Sequence, residues 1–482
     1  MTVLVVGGGI TGLTTAYMLA QSGIPTTLVE ASDRLGGKIR TDSVNGFLIE
    51  SGPDSFVSYR LAALELVREL GLGDAIIAPT NPRTVWIRAR GRLVRMPEGM
   101  GLVLPTRLAP FVRTDMFSPL EKLRIGLDLF QPRDGTGDDV SVGAFLRRRL
   151  GGALVERLAG PLLGGVYGTP IHELSLDAVV PQLREAERQH RSLLLASLAS
   201  GRGAKVRGSG SPFVSLAGGM GQLTDALVGA IARSGGVDVR MKARVVSLER
   251  RDGGFDARLA SGELLRPEAA VLASPGPATA GLLDGIAPAA AAHVRAIAHG
   301  STAVVSLGYR LDQFTKPPVG HGFLVAAGEP LVIDGCTLSS LKWAGRAPDG
   351  TVLVRVFVGS HTPSILAGSD SEIFAAVERD LAQVAGVHGA PILARVARSI
   401  DQMPKYTVGH LQKVAGANAA LAGLPNLAIA GAAFRGVGVP DCIAQGRAAA
   451  ARVGEALSGG VPGPAEVADA VPVRASKPAR SG

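Results

Sequence analysis

The feature that most constrains this chain is a glycine-rich turn between an apolar strand and an apolar helix near its first residues. Val3–Val6 is an apolar, mainly β-branched run of the kind that parallel sheets bury on both faces. It leads into Gly7–Gly12, which has the spacing GxGxxG, and a helix is predicted over Leu13–Ser22. These glycines allow a tight turn, close approach of a pyrophosphate and close helix packing. The segment therefore predicts a dinucleotide site at a helix N-terminus.

An acidic residue follows at the position that such a site requires. The second predicted strand, Thr26–Val29, ends in Glu30. A carboxylate at this point accepts hydrogen bonds from ribose hydroxyls and disfavours a 2′-phosphate. A glycine turn alone is a weak signal because such turns are common. The agreement of strand, helix and acid favours a ligand site over a purely structural turn.

The residues after Glu30 distinguish a flavin from a nicotinamide cofactor. Residues 30–38, EASDRLGGK, resemble the second signature of amine-oxidase-like flavoproteins. The paired glycines would let this loop lie against the pyrophosphate, with Arg34 or Lys38 supplying positive charge. Taken alone, the segment would be interpreted as a solvated basic turn. Its position directly after GxGxxG and Glu30 favours the flavin.

Composition excludes several other classes of protein. The 482 residues, 46% of them hydrophobic, suffice for a large core in two or more lobes. Cys336 and Cys442 are the only cysteines, so neither a disulfide framework nor a thiolate metal site is supported, in agreement with the cytoplasm. The histidines show no metal-binding spacing either, and no metal is predicted. No apolar run reaches the roughly twenty residues that span a bilayer, and no signal-peptide pattern precedes the first strand.

The net charge of +9 points to an anionic partner. Nucleic acid is disfavoured, because aromatic residues make up only 4% of the chain and no basic run alternates with them. We therefore expect a polyanionic small molecule. Peripheral contact with a membrane surface stays open.

The order of predicted elements gives the fold class. We expect an α/β fold with a discontinuous, Rossmann-like FAD-binding domain, an inserted mixed-sheet substrate domain and a helical lobe. Alternating residues predict two paired strands around Gly91, and Ser118 and Glu121 predict a capped helix. Residues 200–211, rich in glycine and serine, are expected to be mobile. The predicted divisions are 1–80, 212–280 and 400–460 for the FAD-binding domain, 81–110 and 281–399 for the substrate domain, 111–211 for the helical lobe, and 461–482 for a disordered tail.

Seven segments together resemble the flavin-dependent porphyrinogen oxidases of haem synthesis. The first two are shared with amine oxidases and carotenoid desaturases, whereas GPDSF, MPKYTVGH and FRGVGVPDCI are more restricted. The branch that the chain resembles most is soluble and acts mainly on coproporphyrinogen III. The segments are GGGITGL (7–13), EASDRLGGKIRT (30–41), IESGPDSF (49–56), GVYGTPIHELSLDAVVPQL (165–183), SLAGGMGQLTDAL (215–227), MPKYTVGH (403–410) and AGAAFRGVGVPDCI (430–443).

The resemblance implies FAD as the cofactor and assigns residues to it. One departure is Ser399, which stands where the family commonly has tryptophan and leaves one packing contact of the flavin or pocket unassigned. The implied residues are Gly7, Gly8, Gly9, Ile10, Thr11 and Gly12 for the pyrophosphate, Glu30 and Ala31 for the adenosine ribose, Lys38 for a phosphate, Gly52, Pro53, Asp54 and Ser55 beside the flavin, Val245 for the adenine, Val437, Gly438 and Val439 beside the isoalloxazine, and Gly168 near the substrate.

The resemblance also implies the reaction. Coproporphyrinogen III would lose six electrons in three two-electron steps, each passing a hydride from a bridging carbon to flavin, which oxygen then reoxidises with release of peroxide. Protoporphyrinogen IX is the alternative substrate. An amine or polyene oxidase of the same fold, and a carrier without catalysis, are the more distant alternatives. A downstream enzyme of haem synthesis is a candidate transient partner.

The substrate's propionates suggest where to look for further site residues. Arg83, Arg88, Arg90 and Lys405 are candidates, although each residue by itself is more commonly a solvated surface charge. The two tyrosines of the restricted segments, Tyr167 and Tyr406, are candidates for packing on the tetrapyrrole, although buried structural tyrosines are more common. We assign no catalytic acid or base.

Overall fold

The computed structural model describes residues 1–101, 103–133, 137–203 and 211–459. Most of the segment 200–211, predicted to be mobile, and the whole predicted tail 461–482 lie outside these residues. Within them, no helix is both long and apolar enough to cross a bilayer.

The strands are short in the first half of the chain and longer in the second. In chain order they are β1 (Val3–Val6), β2 (Thr26–Val29), β3 (Thr41–Val44), β4 (Phe47–Glu50), β5 (Phe56–Val57), β6 (Ile76–Ile77), β7 (Val85–Ala89), β8 (Arg92–Arg95), β9 (Met100–Gly101), β10 (Leu104–Pro105), β11 (Phe213–Leu216), β12 (Val237–Arg240), β13 (Val245–Arg251), β14 (Gly254–Leu259), β15 (Leu264–Leu265), β16 (Ala269–Leu272), β17 (His299–Arg310), β18 (Gly322–Val325), β19 (Ile333–Leu338), β20 (Thr351–Val358), β21 (Leu393–Pro404) and β22 (Leu427–Ile429).

The helices are concentrated between residues 108 and 203 and around the first sheet. They are α1 (Ile10–Gln21), α2 (Leu61–Glu69), α3 (Leu108–Arg113), α4 (Pro119–Gly126), α5 (Val142–Leu150), α6 (Gly152–Leu154), α7 (Gly165–Tyr167), α8 (Leu176–Val179), α9 (Pro181–Gln189), α10 (Leu193–Gly203), α11 (Gly221–Ser234), α12 (Gly276–Leu283), α13 (Pro288–Arg295), α14 (Ser339–Lys342), α15 (Asp370–Ala385), α16 (His410–Ala420) and α17 (Val439–Leu457).

The first sheet is five-stranded, in the order β12-β2-β1-β16-β22, and all of its pairs are parallel. Every residue of β1 is buried, as its apolar sequence predicts. The strands come from three separate stretches of the chain, which confirms the discontinuous Rossmann-like fold. Helix α1 begins at Ile10 and not at Leu13, because Gly9 already caps it, so Gly12 lies in its first turn.

Side chains of β1 alternate between the two faces of this sheet. Val3 and Val5 pack in one core with α1, α11 and α17, whereas Leu4 and Val6 pack in a second core with α12, α13 and α16. Because both faces are covered, every residue of the central strand must be apolar. The carboxyl edge of the sheet is the side on which such folds bind ligands.

The second large sheet is seven-stranded and mixed, in the order β21-β17-β20-β19-β18-β7-β8. The predicted strand pair around Gly91 is its outer hairpin, with Arg90 and Gly91 both at positive φ, as a tight hairpin turn requires. Strand β21 runs through Pro404, so the predicted domain boundary at 399/400 falls inside a strand that pairs in this sheet.

The described residues from 108 to 203 form a helical region with its own apolar core. The predicted capping box is present at α4: the Glu121 amide donates to Ser118 Oγ at 3.3 Å, and the Ser118 amide donates to Glu121 Oε2 at 2.8 Å. Between α6 and α7 the chain forms a π-helical stretch, Val155–Gly164, which contains Pro161. Helix α7 follows directly and ends before Gly168, which has a left-handed conformation at φ 55°.

Candidate flavin and substrate site

Three loops pack main chain against main chain at the carboxyl edge of the parallel sheet. The Gly36 amide donates to the Gly8 carbonyl at 2.8 Å. A Cβ built on Gly37 would lie 2.9 Å from Gly9 Cα, and one built on Gly52 would lie 1.8 Å from the Lys38 carbonyl oxygen. No larger residue fits at these two positions, so the GxGxxG turn, the 30–38 loop and the GPDSF loop determine one another's position.

The N-terminus of α1 is prepared for an anion. The amides of Ile10, Thr11 and Gly12 have no hydrogen-bond acceptor among the described residues, and Leu13 is the first to donate within the turn, to Gly9. No acidic side chain lies in the first turn of the helix. Unpaired amides at the positive end of a helix dipole fit a pyrophosphate.

Glu30 lies beside this turn and is held there by main-chain amides. Gly8 donates to its Oε2 at 2.7 Å, and Ser32 donates to its Oε1 at 2.8 Å. Each carboxylate oxygen keeps a free lone pair, which fits the ribose hydroxyls predicted for Glu30 and its neighbour Ala31. Val245, predicted to contact adenine, begins β13 and is buried in the core beneath this edge.

The two cations of the 30–38 loop have other partners. Arg34 donates to the carbonyls of Leu35 and Gly37, so it stabilises its own loop. Lys38 Nζ donates to the Gln402 carbonyl at 2.7 Å, which joins the loop to the last strand of the second sheet. Burial lowers the pKa of Lys38. The phosphate contact of Lys38 stays a prediction.

The glycine-rich loop 431–438 connects β22, at one edge of the parallel sheet, to α17. Gln445 holds it from α17, accepting from the Gly431 amide at 3.3 Å and donating to the Arg435 carbonyl at 3.0 Å. Helix α17 in turn packs so closely on α1 that a Cβ on Gly446 would lie 2.6 Å from the Thr11 carbonyl oxygen. The predicted residues Val437, Gly438 and Val439 therefore lie at the same sheet edge as Gly7–Gly12.

The Asp54 carboxylate, in the loop predicted to lie beside the flavin, has its charged partners outside that loop. Its Oδ2 accepts from Lys342 Nζ at 2.9 Å and from Trp343 Nε1 at 3.0 Å, and Arg355 Nη1 is 3.5 Å away. Burial opposes ionisation of Asp54, but the charges of Lys342 and Arg355 outweigh burial and lower its pKa. The carboxylate is thus directed into the second sheet. The loop's main chain, with Pro53, is left for the predicted flavin contact.

A further bond from the second sheet fixes the same loop. Arg355 Nη2 donates to the Gly52 carbonyl at 2.5 Å, and Ser55 Oγ donates to Asp54 Oδ1 at 2.8 Å. Glu50, just before the loop, is buried and accepts from the Met220 amide at 2.7 Å. Burial raises the pKa of Glu50. The loop is therefore held by groups from both halves of the chain.

Two of the predicted substrate residues meet at Gly300. A Cβ on Gly300 would lie 3.0 Å from Lys405 Cε and 3.8 Å from the Gly168 carbonyl oxygen. Lys405 is half-buried and forms no ion pair among the described residues. An unpaired ammonium beside a main-chain carbonyl fits a carboxylate ligand.

His299, which sequence reasoning missed, is adjacent to this point. Its Nδ1 lies 2.8 Å from the Ile297 carbonyl oxygen, and a Cβ on Gly276 would lie 2.5 Å from its Cε1. Burial lowers the pKa of His299. A lone histidine outside any recognised spacing gave no signal that could have identified it.

The remaining cationic candidates are placed elsewhere. Arg88 pairs with Glu329 at 3.1 Å and Arg90 with Glu121 at 3.0 Å, so neither is a free cation. Arg83 is exposed just before β7, five strand positions from β21, roughly 24 Å at the ordinary strand spacing. The structure therefore does not bring Arg83 together with Lys405.

Tyr406 is a buried structural tyrosine, the more common of the two roles considered for it, and its ring is not exposed for packing on the tetrapyrrole. It is 1% exposed, and its hydroxyl donates to the Ala432 carbonyl at 2.9 Å and accepts from the Gly436 amide at 2.7 Å. Its ring stacks on His410 at a centroid distance of 3.8 Å. His410 Nε2 lies 2.8 Å from the Phe434 carbonyl oxygen and must donate to it. Tyr167 is half-buried, 5.9 Å from the Tyr406 ring.

Among the described residues, no three His, Cys, Asp or Glu side chains are grouped so as to hold a metal ion. Cys336 and Cys442 are both buried, and burial raises the pKa of Cys442 to about 11. Both thiols are therefore protonated at neutral pH.

Comparisons with known proteins agree with this geometry. Residues 10–454 match the family of flavin containing amine oxidoreductases. A coproporphyrinogen III oxidase from Propionibacterium freudenreichii is 45% identical, over 95% of this chain and 92% of its own, and one from Bacillus subtilis is 35% identical, over 93% and 96%. The crystal structure of an Exiguobacterium protein assigned as a protoporphyrinogen oxidase has a TM-score of 0.82 at 32% identity and covers 93% of this chain and 97% of its own.

The match over almost the whole length identifies the family. The chain belongs to the flavin containing amine oxidoreductases, and its predicted resemblance to porphyrinogen oxidases is confirmed. The predicted flavin agrees with the family, and the free amides of α1 beside Glu30 fit the diphosphate and ribose of a dinucleotide.

The buried imidazole of His410 predicts a pH dependence. Burial lowers its pKa to about 4, against 6.5 ordinarily, so the unfolded chain binds the proton more tightly. The stability that comes from keeping His410 neutral is fully present above pH 6.5. As the pH falls from 6.5 towards 4, the free energy of unfolding decreases by up to about 3 kcal/mol. Chemical denaturation at several pH values should show that the free energy of unfolding of His410→Gln decreases less steeply with falling pH than that of the unmodified protein. Parallel curves for the two proteins would contradict this.

Proposed function

We propose that this protein is an FAD-dependent coproporphyrinogen III oxidase that uses oxygen as the electron acceptor. The observation that carries the substrate assignment is the 45% identity to a coproporphyrinogen III oxidase over 95% of the chain. The anion site at α1 and the Glu30 carboxylate support the cofactor assignment.

The proposed reaction removes six hydrogens from the porphyrinogen and passes them to three molecules of oxygen, giving three molecules of peroxide. FAD, when bound, supplies the two-electron acceptor for each step. The chain's own residues hold both reactants. The α1 amides would bind the pyrophosphate, Glu30 the ribose, and the loops 52–55 and 437–439 would flank the ring system.

Recognition of the substrate would centre on Gly168 and Lys405. Coproporphyrinogen carries four propionates, and the unpaired Lys405 ammonium is placed to bind one of them. The Gly168 carbonyl and the Lys405 side chain both lie near Gly300, within 4 Å of a Cβ built on it. The site would therefore position the macrocycle through its edge substituents.

Protoporphyrinogen IX is the second candidate substrate. It is favoured by the likeness to the Exiguobacterium structure, but the identity of 32% is lower than that to the Propionibacterium enzyme. The likeness to a putrescine oxidase, at 17% identity, concerns the fold alone.

We also propose where the reaction takes place. The two free, buried cysteines fit the reducing cytoplasm, where we place the enzyme. Transfer of the porphyrin to a downstream enzyme, and peripheral contact with a membrane, remain hypotheses. The domain boundaries given above also remain predictions.

The direct test is turnover by the purified yellow protein. We expect porphyrin fluorescence and peroxide to rise on mixing with coproporphyrinogen III in air, and to rise more slowly with protoporphyrinogen IX. Faster turnover of protoporphyrinogen IX would select the second substrate. No flavin-dependent turnover of either compound would overturn the proposal.

The role of Lys405 gives a sharper test. In Lys405→Met the propionate loses its charged partner, so KM for coproporphyrinogen III should rise about tenfold, with a smaller change in kcat. Lys316→Met, which removes an exposed lysine beyond β17, is the control and should leave KM unchanged. An unchanged KM in Lys405→Met would contradict the assignment.

A further inference from the structure

The segment 403–410 connects the proposed substrate residues to the loop 431–438. Its main chain is tied to the helical region, because the Ser175 amide donates to the Tyr406 carbonyl at 2.8 Å and the Val408 amide donates to the Glu173 carbonyl at 3.1 Å. The Lys405 amide donates to the Ala298 carbonyl at 2.8 Å, just before β17. Hydrogen bonds to the helical region and to the residue before β17 therefore fix the main chain of this segment, and its side chains contact the loop.

Two side chains of this segment hold three main-chain groups of the loop. The Tyr406 hydroxyl bonds to residues 432 and 436, and His410 Nε2 bonds to residue 434. The two rings are stacked with an interplanar angle of 18°. Both residues are almost completely buried, so water cannot replace these bonds.

The loop has little conformational preference of its own. It reads GAAFRGVG over 431–438, and Gly431 and Gly436 have φ values of 131° and 95°. Glycines in such conformations lose much chain entropy on ordering. An external template is therefore needed if the loop is to be ordered without its ligand.

We propose that Tyr406 and His410 are positioning residues that hold the loop 431–438 in its FAD-binding conformation before the cofactor arrives. The inference rests on the proposed function, which places Val437–Val439 beside the flavin. The loop then loses its chain entropy during folding and not during FAD binding, and this raises the affinity for FAD. The same contacts fix the position of the loop relative to Lys405, the neighbour of Tyr406.

FAD binding by the apoprotein tests this pre-organisation. Tyr406→Phe removes one hydroxyl, leaving the Ala432 carbonyl and the Gly436 amide unpaired. We expect the Kd for FAD, followed by quenching of flavin fluorescence, to rise about tenfold, with a shifted absorption spectrum of the bound flavin.

A matched control separates positioning from general loss of stability. Tyr309→Phe removes a hydroxyl from another tyrosine that is 1% exposed, in the seven-stranded sheet, and should leave the Kd unchanged. Equal Kd values for Tyr406→Phe and the unmodified protein would overturn the inference alone. If the unmodified apoprotein bound no FAD, the inference and the proposed function would both be wrong.

Hydrogen exchange of the unmodified apoprotein provides a second test that does not depend on the folding of a variant. If the segment 403–410 templates the loop, the amide of Gly436 should be protected without FAD. Rapid exchange of a peptide covering 432–438 in the apoprotein, followed by protection on addition of FAD, would show that the cofactor orders the loop and would overturn the inference.

Discussion

The structure depends on the close approach of main chain to main chain at the carboxyl edge of the parallel sheet. Gly9 lies against Gly37, Gly52 against the Lys38 carbonyl, and Gly446 against the Thr11 carbonyl. Because a Cβ at Gly37, Gly52 or Gly446 would collide, these contacts allow little variation in where the loops lie. The first amides of α1 lie at this edge without acceptors. Main-chain groups, more than side chains, therefore form the proposed cofactor site.

Side chains then connect this edge to the rest of the molecule. Asp54 pairs with Lys342 of α14 and with Arg355 of β20, and removing one member of such a buried pair costs about 3–5 kcal/mol. Tyr406 and His410 connect the edge to the helical region. The proposed substrate residues are therefore held at a fixed distance from the proposed cofactor site, as transfer between two bound molecules requires.

Local patterns made much of this predictable. The strand, the GxGxxG turn and Glu30 lie within thirty residues, and the Arg90–Gly91 hairpin is determined by its own turn, so neither needed information from elsewhere in the chain. The ion pair of Asp54 could not be predicted from local patterns, because Lys342 is 288 residues away in sequence.

The roles of other residues also depend on partners that are distant in sequence. Arg88 has the chemistry of a propionate ligand, and only the fold reveals that Glu329 neutralises it. Tyr406 was found in the right motif, but its role follows from partners on the loop 431–438 that no spacing rule specifies.

The central claim is that one sheet edge binds FAD through the α1 amides. A crystal structure of the FAD-loaded protein tests it most directly. It should show pyrophosphate oxygens at the amides of residues 10–12 and ribose hydroxyls at Glu30, and a flavin bound anywhere else would contradict the account.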